Sequence, residues 1–134
     1  MPAAFQVHHN HIDEQHEYLF SIFVRINSAI DNDCVDITAD ILEELDKYVT
    51  FHFRFEENLM DKTNYPDQEN HISAHRKLEE QIAIFKKTYL HSHEGEQSLP
   101  IEISSFLQSW LKNHIAMHDK KLVSFLAQNP LSKN

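Results

Sequence analysis

His52-Phe53-Arg54-Phe55-Glu56 and His71-Ile72-Ser73-Ala74-His75 are the stretches that decide how this chain folds. Each sets two metal-capable side chains four residues apart. On an α-helix, positions i and i+4 lie on one face about a turn apart, so both side chains reach one centre. His16 upstream, and His114 with Asp119 downstream, sit in comparable helical stretches. Together these are five imidazoles and two carboxylates directed inward from four helices. An ordinary core has no use for that inventory. The reading is a metal site inside a helical bundle, with two irons as the best fit.

The remaining composition agrees. The 134 residues make one domain, 1–134, with enough chain for a sizeable core. Lys plus Arg number 12 and Asp plus Glu 21, a formal charge of −9 that argues against a nucleic-acid partner. One glycine and four prolines suit long helices joined by short loops. The single Cys34 excludes an internal disulfide and fits a reducing compartment. Met1-Pro2-Ala3-Ala4-Phe5 has neither the basic nor the apolar region of a signal peptide. Apolar runs stop far short of the ~20 residues of a membrane span. The expectation is a soluble cytoplasmic domain with no membrane partner. Eleven histidines are the anomaly, and spacing has to say which of them matter.

Residues 1–11, with His8, His9 and His11, read as an extended, solvated N-terminal arm. A helix is predicted over 12–30, where His16, Leu19, Phe20, Phe23 and Ile26 recur at helical spacing. Asp31 to Cys34 breaks the pattern. The second helix, 37–61, carries Ile41, Leu45, Val49, His52, Phe53, Glu56 and Met60 on one stripe. Tyr65-Pro66 marks a turn. The third helix, 67–90, aligns His71, His75, Leu78, Ile82 and Phe85. A loop with His91, His93 and Gly95 follows, and Pro100 suits the first turn of a fourth helix, 100–128, ahead of Pro130. Four such helices with short connections predict an all-α, antiparallel up-down-up-down four-helix bundle.

Neutral imidazole suits iron, copper and zinc, and carboxylates can bridge two cations. Five histidines and two carboxylates exceed what one tetrahedral zinc uses. Two six-coordinate ions fit better, with Glu56 and Asp119 shared between them. Two carboxylates and one hydroxide offset three of the four charges of a diferrous pair, so the buried charge is nearly balanced. Carboxylates stranded in an apolar bundle are costly, so metal binding and folding stability should be coupled. One spacing is awkward. His114 to Asp119 is i to i+5, about 140° apart at about 100° per residue. His118, at i+4, is the natural partner on a regular helix, and spacing alone leaves His118 and Asp119 close to even. A π-type widening would bring Asp119 round.

One His, then HxxxE, HxxxH and HxxxxD, in this order and with these gaps, resembles hemerythrin. The likeness extends to Ile12-Asp13-Glu14-Gln15-His16, Glu56-Glu57, Leu59-Met60, Tyr65-Pro66 and Trp110-Leu111-Lys112-Asn113-His114-Ile115, and covers about residues 5–127. The resemblance implies that His71, His75 and His114 hold one iron and that His16 and His52 hold the other. Glu56, Asp119 and a solvent-derived oxo or hydroxo group would bridge them, and O2 would take an open position on the two-histidine iron. It also favours Asp119 over His118, and it places Leu19, Phe53, Trp110, Leu111 and Ile115 around an O2 pocket. Bacterial members usually carry a tryptophan and a small apolar segment at the start. Here Val7-His8-His9-Asn10-His11 stands instead, a polar and titratable replacement.

The function this implies is O2 binding by a non-haem iron pair, as a carrier or as an O2 or redox sensor domain. The sensor reading pairs it with a C-terminal signalling output or partner. No residue is assigned a catalytic role. The alternative is a diiron enzyme of oxidase, peroxidase or nitric-oxide-reducing type. Ferritin-like enzymes use Glu-x-x-His pairs, and no Glu stands three residues before a His here.

Overall fold

Leucines, isoleucines and valines at helical spacing need a partner surface, and in this chain each stripe supplies one for the next. The computed structural model describes residues 6–31, 35–90 and 98–129. Its helices are α1 (Asn10–Asp31), α2 (Val35–Lys62), α3 (Gln68–Leu90) and α4 (Ser98–His114). A π-helical turn, Ile115–Asp119, and α5 (Lys120–Gln128) then follow α4 without a break. No strand occurs among the described residues. α1 packs against α2 and α4, and α3 against α2 and α4, which closes a four-helix bundle. The seam holds Leu19, Ile22, Ile26, Leu42, Leu45, Val49, Ile82, Ile103, Leu107 and Leu122, all buried. Each such side chain contributes about 1.5–3 kcal/mol on leaving water.

The helix ends differ slightly from the pattern's reading. α1 starts at Asn10 because His9 caps it. The His9 carbonyl accepts from the Asp13 N–H at 2.7 Å, and its Nδ1 accepts from the Ile12 N–H at 3.3 Å. Asp13 reaches back, its Oδ1 accepting from the Val7 N–H at 2.7 Å. Val7 is thereby packed into the core, so the arm is shorter and better anchored than a free polar segment. α2 ends in a left-handed Asn64, φ 53°. The Tyr65 N–H then bonds the Met60 carbonyl (2.9 Å) and the Asn64 N–H that of Asp61 (3.3 Å), a Schellman closure that buries Tyr65. The breaks read at Asn32 to Cys34 and over His91, His93 and Gly95, the first five residues of the arm, and Pro130 lie outside the described residues. No described helix is long and apolar enough to cross a membrane.

Candidate metal centre

Against the apolar seam stand His16, His52, Glu56, His71, His75, His114 and Asp119, all buried. Helical spacing explains their convergence. His52 and Glu56 leave α2 one turn apart, as do His71 and His75 on α3, while His16 comes from α1 and His114 from α4. Asp119 arrives through the π turn. There the Lys120 N–H bonds back to the Ile115 carbonyl, five residues earlier, and the extra residue per turn carries Asp119 onto the face of His114. Asp119 is 0% exposed, whereas His118 is left half-buried at the rim, its ring 5.0 Å from that of His114 and 5.3 Å from that of His71.

The seven residues form two overlapping groups whose ligand atoms lie within 4.8 Å of one another, one of Glu56, His71, His75, His114 and Asp119, the other of His16, His52, Glu56 and Asp119. Both carboxylates belong to both groups, and their oxygens divide between them. Asp119 turns Oδ2 to His16 Nε2 (3.0 Å) and Oδ1 to His71 Nε2 (3.1 Å) and His114 Nε2 (3.2 Å). Glu56 turns Oε2 to His52 Nε2 (3.4 Å) and Oε1 to His75 Nε2 (3.1 Å) and His71 Nε2 (3.3 Å).

Outer partners orient two of the rings. Gln15 Oε1 accepts from His52 Nδ1–H at 2.6 Å, and Glu57 Oε2 accepts from His75 Nδ1–H at 2.9 Å. With the proton on Nδ1, each Nε2 presents a lone pair to the centre. That lone pair faces a carboxylate oxygen, His75 against Glu56 at 3.1 Å and His52 against Glu56 at 3.4 Å. Acceptor facing acceptor is repulsive unless a cation or proton lies between them. The Nε2 atoms of His52, His71 and His114 and both oxygens of Asp119 are likewise buried without a hydrogen bond of acceptable geometry. Buried polar atoms are ordinarily satisfied. This donor set therefore fits cations.

The electrostatics agree. Burial pushes the Asp119 carboxyl up, but the neighbouring His114, His16 and His71 outweigh it and hold it well below the ordinary carboxylate range. Burial pushes His71 down, and the adjacent Asp119 and Glu56 carboxylates overcome this and push it up to about 9. His52 is driven down to about 4 by burial above all. The centre holds carboxylates as anions and draws positive charge to them.

Beside the cluster lies an apolar cavity lined by Leu19, Phe23, Leu45, Val49, Phe53, Leu78, Leu107, Trp110 and Leu111, with His52 and His114 of the cluster in its wall. The cavity is near the smallest that holds one water-sized molecule. Phe53 also lies flat on His75, centroids 3.8 Å apart, and Trp110 on His114 at 4.4 Å. Ile115 is buried but does not line the cavity.

Residues 7–126 match the family profile of the hemerythrin HHE cation binding domain. The chain belongs to the hemerythrin family. A bacteriohemerythrin of Methylococcus capsulatus is 31% identical over 121 residues, covering 88% of each protein. A hemerythrin-like protein of Naegleria gruberi is 34% identical over 119 residues, 89% of this chain and 86% of its own. The crystal structure of a wild-type hemerythrin superposes with a TM-score of 0.82 at 27% identity, covering 95% of both chains. Within this hemerythrin domain, Gln15 and Glu57 are the site residues that spacing did not single out. Each directly precedes or follows a ligand-type residue, His16 or Glu56, and only the helix pairing reveals its contact.

Proposed function

We propose that this chain is a non-haem diiron protein that binds O2, acting as an O2 carrier or as an O2 or redox sensor domain. The observation that carries the reading is the division of the Glu56 and Asp119 oxygens between two histidine groups. One ion needs no such division, and two ions sharing both carboxylates do. His71, His75 and His114 would hold one iron and His16 and His52 the other, with Glu56, Asp119 and a solvent-derived oxo or hydroxo group as bridges. When bound, the iron pair supplies the electrons that O2 draws on and an open coordination position.

The chain's own residues do the rest. Gln15 and Glu57 fix ring orientation, while Phe53 and Trp110 hold the planes of His75 and His114. Leu19, Phe53, Trp110 and Leu111 wall the adjoining cavity and keep water and protons from it. The histidine-rich set favours binding O2 over turnover. The test is anaerobic reconstitution with Fe(II), a count of iron per chain, and optical spectra on adding and removing O2. Two irons and a visible band that reverses with O2 support a carrier. A band that forms and decays to the diferric spectrum supports a sensor. One iron per chain, or two irons with no optical response to O2, overturns the reading.

A further inference from the structure

We propose that Glu57 makes the three-histidine side of the cluster the tighter of its two metal positions, and that neutral Gln15 leaves the two-histidine side the more labile. The inference rests on the two-metal reading above and goes beyond it by ranking the two positions.

The outer hydrogen bonds differ in kind. On the three-histidine side, His75 Nδ1–H is received by a carboxylate at 2.9 Å. On the two-histidine side, His52 Nδ1–H is received by an amide oxygen at 2.6 Å. Both orient the ring equally well. A carboxylate also draws the Nδ1 proton toward itself, which makes Nε2 a more basic donor to a cation.

Glu57 is held rigidly in that role. Its Oε1 is clamped by Arg76 Nη2 and accepts from Arg54 Nη1 at 3.1 Å, and Glu79 Oε1 holds Arg76 Nη1 at 2.7 Å. Two arginines and two glutamates leave this outer cluster neutral as a whole. Its influence on the centre therefore passes through the short, directional bond to His75 rather than through a long-range field. The flat stacking of Phe53 on His75 keeps that ring from turning away. Gln15 has no such charged support among the described contacts.

The test is an anaerobic titration of the full chain with Co(II), followed by its visible absorption, with far-UV circular dichroism confirming the fold of each variant. The wild type binds two Co(II) in two resolved steps. Glu57→Gln keeps an acceptor for His75 but removes the charge, and it weakens the tighter step about 10–100-fold while sparing the weaker one. Gln15→Ala weakens the weaker step only. Glu79→Gln loosens the arginine clamp, leaves the charge on Glu57, and keeps the order of the two steps. A wild type that binds two Co(II) in one step overturns the inference, as does a Glu57→Gln variant that weakens both steps alike or neither. A wild type that binds fewer than two Co(II) overturns the two-metal reading instead.

Discussion

His16 Nε2 lies 3.0 Å from Asp119 Oδ2, so the first helix and the π turn after α4 meet at one carboxylate. The other oxygen of Asp119 faces His71 and His114. Asp119 is thus the point where α1, α3 and α4 are tied together. Asp119→Ala should cut metal content below two per chain and lower the melting temperature of the metal-loaded protein towards that of the chelated wild type. Metal analysis with thermal melts checks this, and Asp67→Ala, on an exposed pair with Lys121, should leave metal content unchanged.

Removing metal should destabilise the whole bundle, because carboxylates buried in an apolar seam then lack the cations that would balance them. At free metal 100-fold above its Kd, a ligand that binds only the folded chain adds about 2.7 kcal/mol. Chelation followed by readdition of Co(II) should move the melting temperature down and back by several degrees. A melting temperature indifferent to metal would contradict the coupling.

Phe53 bridges the cavity and His75. Phe53→Ala should cost about 3–5 kcal/mol by urea denaturation, the usual range for an aromatic lost from a packed core. In the iron-loaded protein it should also shorten the lifetime of the O2-dependent band by opening the wall to water. Phe51→Ala, two residues away and exposed, should do neither.

Tyr65 is buried against Phe125 with its hydroxyl unpartnered, and burial raises its phenol to about 12. The folded chain therefore favours the neutral phenol, relative to an unfolded value of about 10. The stability tied to this is complete below pH 10 and is lost as pH climbs towards 12. Spectrophotometric titration should show a late-ionising tyrosine that disappears in Tyr65→Phe. That variant should lose no hydrogen bond and should resist alkaline unfolding better than the wild type.

The sequence by itself determined the helices and which of their faces turn inward. His52 with Glu56, and His71 with His75, needed only the i to i+4 geometry that every α-helix imposes. The tertiary structure decided what local spacing leaves degenerate. Asp119 or His118 could follow His114, and the choice belongs to the π turn, whose extra residue is stabilised by what it brings into the bundle. His9 as a helix cap and Val7 as a core residue depended on Asp13 folding back over the arm. Ile115 shares its seam with Leu111, yet only Leu111 reaches the cavity, because a side chain's neighbours on other helices set where a void remains. Gln15 and Glu57 orient histidines 37 and 18 residues away in the chain. Such pairs carry no periodic signature, since they exist only once two helices have docked in register.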